Sequence, residues 1–195
     1  VIVVDENAIN LGASTVSGTY HVTATAGDIT NTGALIITGA STFIVGTTTS
    51  NIVLDHASNA FSNSVTMKAG TSGNLAFGNI GFVDNAAVVI QTSADTNANG
   101  ELLIDGSTDG VVGGTLSIKA NGDITQNIDL AVAGTTTLEA GSNAITLNRP
   151  DNNFSTVIIT SGGDVALRDA GAIILGAATV TGTYAVTAGG AVTQS

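Results

Sequence analysis

The densest run of oxygen-bearing side chains is Asp95-Thr-Asn-Ala-Asn-Gly-Glu-Leu-Leu-Ile-Asp105. Asp95, Asn97 and Asn99 alternate on a short stretch that turns at Gly100, as in the first half of a calcium loop. Calcium takes about six to eight oxygens, and Glu101 and Asp105 are the next carboxylates in line. The pattern then breaks. The twelfth position, where a bidentate carboxylate belongs, is Gly106; Asp105 stands one place early, and Asp109 reaches only by a different path. The expected metal set is therefore Asp95, Asn97, Asn99, Glu101 and Asp105, with calcium as the one cofactor it would take. The competing reading is an Asn/Asp/Gly-rich corner that holds no ion.

Other chemistry finds less support. Gly162-Gly-Asp164 lacks the tandem nonapeptides of a calcium-binding β-roll. Asp164, Arg168 and Asp169 form the one dense mixed-charge cluster, the kind a polysaccharide lyase or hydrolase would use. No second constellation supports it, and a solvated corner with a weak ion pair explains it as well. His21 and His56 lie far apart, and neither has a neighbouring Ser-acid pattern that suggests a triad. The chain is expected not to be an enzyme. Thr47-Thr-Thr49 and Thr135-Thr-Thr137 invite an ice-binding reading; the simpler reading is exposed strand. Tyr20 pairs with Tyr184, and Phe61 with Phe154, in equivalent repeat positions, which suits core stacking better than a glycan platform. Asn153-Phe-Ser155 is a glycosylation sequon, one match in an Asn-rich chain.

The elements that would position these residues follow from composition. The hydrophobic fraction is 43% and the charged fraction 10%, with 25 Gly and one Pro among 195 residues. That supports a sizeable core and excludes disorder, and Gly does not recur every third residue as in collagen. β-branched residues abound, alternation is common and helical periodicity is missing, so the chain reads as all-β. The net charge is −11, and Lys68, Lys119, Arg149 and Arg168 do not cluster. A nucleic-acid partner is excluded for want of a basic face, and an anionic membrane surface is disfavoured. Cys is absent, which removes disulfides and thiolate metal sites. No apolar run reaches the ~18 residues of a membrane span, so direct membrane insertion is not expected.

Internal repeats decide the architecture. Asp169-Ala-Gly-Ala-Ile-Ile-Leu-Gly-Ala-Ala-Thr-Val-Thr-Gly-Thr-Tyr-Ala-Val-Thr-Ala188 repeats Asp5-Glu-Asn-Ala-Ile-Asn-Leu-Gly-Ala-Ser-Thr-Val-Ser-Gly-Thr-Tyr-His-Val-Thr-Ala24. Thr115-Leu-Ser-Ile-Lys-Ala-Asn-Gly-Asp-Ile-Thr-Gln126 repeats the end of both. Leu54-Asp-His-Ala-Ser-Asn-Ala-Phe-Ser62 matches Leu147-Asn-Arg-Pro-Asp-Asn-Asn-Phe-Ser155, and Gly39-Ala-Ser-Thr-Phe43 matches Gly134-Thr-Thr-Thr-Leu138. Thr19 to Thr115 is 96 residues (115 − 19) and Thr115 to Thr183 is 68 (183 − 115). Aligning Asn74-Leu-Ala-Phe with Asp164-Val-Ala-Leu assigns the excess to one extra turn or loop of about 20 residues in an irregular region, 81–114. Short runs separated by Gly, Asn or Asp stack as parallel strands about 4.8 Å apart. The expected fold is one continuous parallel β-helix over residues 1–195, with turns of roughly 20 residues, roughly nine of them and about 45 Å of rod. Val1 and Val192-Thr-Gln-Ser195 look like cuts inside a longer array.

The run from Asp169 to Ser195, and the Asn-x-Phe-Ser motifs at Asn59 and Asn152, resemble the degenerate repeats of filamentous-haemagglutinin-like exoproteins. The resemblance covers nearly the whole chain except roughly residues 81–114. It implies a right-handed solenoid and export to the bacterial cell surface by two-partner secretion or as an autotransporter. It also implies a role in adhesion or biofilm formation. The expected function is a rod segment whose partners are the neighbouring turns of its parent chain. The alternative is a module in which 81–114 binds an exopolysaccharide or host-surface glycan.

Overall fold

The computed structural model describes residues 1–70, 75–91, 101–105, 108 and 110–195. The described residues form a β-solenoid of about 8 turns, with stacked residues about 21 apart and no helix. The period follows from the sequence: three short apolar runs and their corners fill one coil, and Gly, Asn and Asp turn the chain at each corner.

The first three coils each hold three strands. These are β1 (Ile2–Asp5), β2 (Ile9–Leu11) and β3 (Ser14–Val16), then β4 (Tyr20–Ala24), β5 (Ile29–Asn31) and β6 (Leu35–Ile37), then β7 (Ser41–Val45), β8 (Ile52–Leu54) and β9 (Ala60–Phe61). The middle of the chain contributes β10 (Val65–Ala69), β11 (Ile80–Asp84), β12 (Val88–Gln91), β13 (Glu101–Asp105), β14 (Val111–Val112), β15 (Leu116–Ala120) and β16 (Ile124–Gln126). The last coils hold β17 (Ala131–Glu139), β18 (Ile145–Leu147), β19 (Asn153–Gly162), β20 (Val165–Asp169), β21 (Ile173–Val180), β22 (Tyr184–Ala188) and β23 (Val192–Gln194).

One long sheet runs β1-β4-β7-β10-β13-β12-β16-β18-β20-β22. The other runs β2-β5-β8-β11-β15-β17-β19-β21-β23, with β14 beside β17, and β3-β6-β9 make a short third face. All the pairings are parallel, and register aligns like with like: Val22, Phe43 and Met67 stack in one inward column, and Ile29, Ile52 and Ile80 in another. These six side chains are buried. The core is a single continuous column of such residues, from Leu11 to Ile173.

Equivalent repeats do not occupy equivalent sheets. β7 carries the Gly39 motif in the first long sheet, while its counterpart in β17 lies in the second. β8 and β18, which begin the two Asn-x-Phe-Ser motifs, are exchanged the same way. In the later coils the short third-face strand also fuses with the next strand. β17 and β19 are therefore 9 and 10 residues long, with register shifts between Val132 and Thr135 and again after Leu138.

Residues 81–114 contain the departure from simple winding. Ile80 pairs with Leu116, a step of 36 residues (116 − 80), whereas Leu116 pairs with Thr136 at 20 (136 − 116). Within that step β13 lies between β10 and β12, so the chain skips one ladder position and then steps back to fill it. The repeat alignment begins on Asn74, which lies outside the described residues, and Phe77 makes only an isolated bridge to Val112. Asn79 to Asp84 is built like Asp164 to Asp169. Both stretches form a strand that ends in a buried Asp, and that Asp accepts from the N–H of the motif Phe one coil back.

Candidate functional site

Of the expected calcium ligands, Asp95, Asn97, Asn99 and also Asp109 lie outside the described residues. Glu101 opens β13 and is buried, while Asp105 closes it half-buried. Leu102 and Ile104 point into the core, so strand alternation puts both carboxylates on the outer face. Asp105 is in register with Lys68 on β10, and their ion pair is 2.6 Å long. One carboxylate oxygen is thus already engaged by an ammonium. Among the described residues, no group of three or more His, Cys, Asp or Glu is placed to hold a metal ion.

Asp164, Arg168 and Asp169 do not converge. Arg168 is exposed on the outer face of β20, and Asp169 is buried at its end. Asp169 accepts from Phe154 N at 2.6 Å and Gly171 N at 2.7 Å, and Asp164 accepts from Thr183 N at 2.7 Å. Their carboxylates are occupied by backbone N–H groups. His21 contacts Thr23 Oγ1 at 3.3 Å, and His56 Nδ1 accepts from Ser58 N at 3.2 Å.

The two Thr runs differ, which corrects their reading as exposed strand. Thr47 to Thr49 form a corner, where Thr49 has φ 65° and the Thr47 and Ser50 hydroxyls touch. Thr135 to Thr137 do lie in β17, with Thr136 pointing inward and fully buried. The two runs therefore do not stack on one another. Tyr20, Phe43, Phe61 and Phe82 form an internal aromatic column with centroids 6.0, 6.3 and 5.4 Å apart. Phe154 is buried too, and Tyr184 is half-buried. Asn153 faces outward from β19 opposite Ala131.

Two kinds of polar ladder, not foreseen from the sequence, stack the corners. In the first, Asp28 accepts from Asn51 N and Nδ2, both at 2.8 Å. Asn51 Oδ1 accepts from Asn79 N at 2.6 Å, and Asn79 Oδ1 from Thr115 N at 2.8 Å. Each side chain satisfies the corner N–H of the next coil, a group that the ladders of the faces leave open. The second kind is internal. Asn31 Nδ2 donates to Asn59 Oδ1 at 2.8 Å, and Asn59 Oδ1 also accepts from Leu35 N. Gln126 and Asn152 exchange two 2.8 Å bonds, and Asn152 Oδ1 accepts from Leu130 N. Asn59 and Asn152 are the Asn of the two Asn-x-Phe-Ser motifs. Their signal in the sequence is a repeated polar residue inside an apolar pattern.

A shallow cavity of about 240 Å³ crosses β14, β17 and β19 and is lined mainly by small residues such as Gly113, Ala131 and Ala133. It carries no charged side chain.

A family described as Repeats of unknown function (DUF5649) matches residues 1–68, 96–161 and 162–195. The second and third matches are contiguous, and the first is separated from them by residues 69–95. This accounts for the unequal repeat spacing: the excess lies between the first and second units. No curated protein and no solved structure matches the chain. The matched segments cover most of the chain, and it belongs to the DUF5649 repeats of unknown function.

Proposed function

We propose that this chain is a rod segment of a large secreted bacterial surface protein, an adhesin or biofilm matrix component. Its work is to hold a distal binding region away from the cell. The observation that carries the reading is the continuous parallel ladder. Two long sheets run the length of the chain over one unbroken core, and the coils bond through their immediate neighbours. Such a structure is extendable by adding coils, and its length is its useful property. The Asp and Asn ladders serve the same end by satisfying corner N–H groups coil after coil. Export to the cell surface and the adhesin assignment come from the resemblance of residues 169–195 and the Asn-x-Phe-Ser motifs to filamentous-haemagglutinin-like repeats.

The test replaces residues 1–195 in the parent protein with an unrelated β-solenoid of equal length. Attachment of the cells to their surface is then measured. A spacer predicts retained attachment, while a shorter replacement predicts a loss that scales with the missing length. Attachment lost on equal-length replacement would sink the rod reading.

A further inference from the structure

Asn152 and Asn153 are adjacent where β19 begins, and they have opposite fates. Asn152 points inward, is fully buried and spends both ends of its amide on the interior ladder. Asn153 points outward and is exposed, and its side-chain amide makes no hydrogen bond to another described residue. Ser155 is exposed on the same face two residues on, while Phe154 between them is buried. Folding therefore does not hide the Asn-x-Ser acceptor motif: the amide and the hydroxyl that define it project together from one extended strand. The matched motif from Leu54 to Ser62 has Ala60 where Asn153 stands, so the arrangement is particular to this coil.

The residues around Asn153 leave room. Ala131 is its register partner on β17, and Val111 is the partner of Ala131 on β14. On the other side Ala170 N donates to Asn152 O, which brings Ala170 and Gly171 alongside on the next coil. Asn153 and Ser155 line the shallow cavity of about 240 Å³, whose floor includes Gly113, Ala131 and Ala133. That volume lies just below the roughly 300 to 1,000 Å³ of drug-sized sites, which suits one ring lying against the sheet. The C–H face of a sugar ring would rest on these small residues, while its hydroxyls stay in water.

We propose that Asn153 is a glycosylation site and carries a saccharide linked through its Nδ2. The donor is a sugar activated at its anomeric carbon by a diphosphate, and a glycosyltransferase of the producing cell supplies the catalysis. A bond forms between Nδ2 and the anomeric carbon. The bond from that carbon to the diphosphate oxygen breaks, the diphosphate leaves with the electron pair, and Nδ2 gives up one proton to a base of the transferase. Nothing is oxidised or reduced. Asn153 stands on the outer face and outside the core, so the linked sugar displaces nothing inside the solenoid. An Asn that merely faces water would account for the exposure, but not for its pairing with Ser155 beside an open shelf. The site does not depend on the rod reading, and an unmodified Asn153 would leave that reading standing.

The test is mass spectrometry of the parent protein recovered from the cells that produce it. The peptide that spans Asn153 should exceed its sequence mass by one or more saccharide residues, and fragmentation should place the addition on Asn153. One sugar, or a series of masses one sugar apart, would mean stepwise transfer from a sugar nucleotide. One fixed larger mass would mean transfer of a preassembled chain from a lipid-linked donor, and both results support the site. Ser155→Ala keeps Asn153 and should abolish the addition, whereas Ser155→Thr keeps the hydroxyl and should retain it. Both changes lie on the outer face, where substitutions alter stability little, so both variants should fold. Finding the peptide only at its sequence mass would overturn the proposal. So would an addition that persists in full in Ser155→Ala.

Discussion

Asn152 shows what a single buried amide does in this molecule. Its Oδ1 accepts from Leu130 N and Gln126 Nε2, and its Nδ2 donates to Gln126 Oε1, Leu147 O and Arg168 O. Asn152→Leu would strand the Leu130 N–H and Gln126 Oε1 in the interior. We expect a loss of about 3 kcal/mol or more in urea unfolding, since each orphaned group costs about 1–3 kcal/mol. Arg149→Ala removes a part-exposed ion pair to Asp129 and should cost under about 1 kcal/mol in the same experiment. Asp84 adds a pH dependence. Burial raises its folded value above 3.8, so between the unfolded and folded values the native state binds more protons. Its contribution is full below the unfolded value and is lost as pH rises through the folded one. Asp84→Asn removes that loss. Its Tm relative to the unmodified chain should therefore climb as pH rises from about 4 towards neutrality. A constant difference over that range would contradict the assignment.

At the scale of strands, close stacking limits what the corners tolerate. A Cβ at Gly134 would lie 2.6 Å from the Gly114 carbonyl oxygen on the coil below. Gly134→Val should therefore lower the melting temperature by several degrees, whereas Gly141→Ala is strained for a different reason, its φ of 62°. β13 is a separate case. The first long sheet has ten strands in its path and the second has nine, and β13 is the one out of sequence order. Val65, Leu102 and Ile90 fall in one inward column, so removal of β13 would bring Val65 opposite Ile90 with the same inward pattern. Deleting residues 92–105 should leave a chain that still melts in one cooperative step with its strand content otherwise intact. Loss of cooperative melting would mean that β13 is required to seat the coils above it.

In residues 1–195 taken alone, the first and last strands of each long sheet have one unpaired edge. Ile2 is 77% and Val4 64% exposed at one end, and Val192 is 50% exposed at the other. Open edges template further pairing, which the net charge of −11 opposes. Lys68, Lys119 and Arg149 are each tied to an acidic partner on an adjacent coil, so little positive charge is left to screen that repulsion. The isolated chain should self-associate end to end, and more so as salt rises, because screening weakens repulsion while edge pairing persists. Sedimentation at low and high ionic strength checks this, and a monodisperse monomer at both would contradict it.

The amino-acid sequence by itself determined the class of fold, the coil length and most of the core. All three depend on local alternation and on repeats that recur close along the chain. Phe61 and Phe154 could be assigned to the interior for that reason, and Lys68, Lys119, Arg149 and Arg168 could be denied a shared patch. The tertiary structure decided which coil each residue meets. The exchange of β7-like and β8-like strands between the long sheets, and the backward step to β13, depend on stacking between residues 20 to 36 apart, which periodicity does not encode. The same holds for the outward row that crosses the coils at one corner. Val83, Lys119 and Glu139 become neighbours only once three coils are in register, and Asp84 differs from Asp169 only in which N–H groups reach its oxygens.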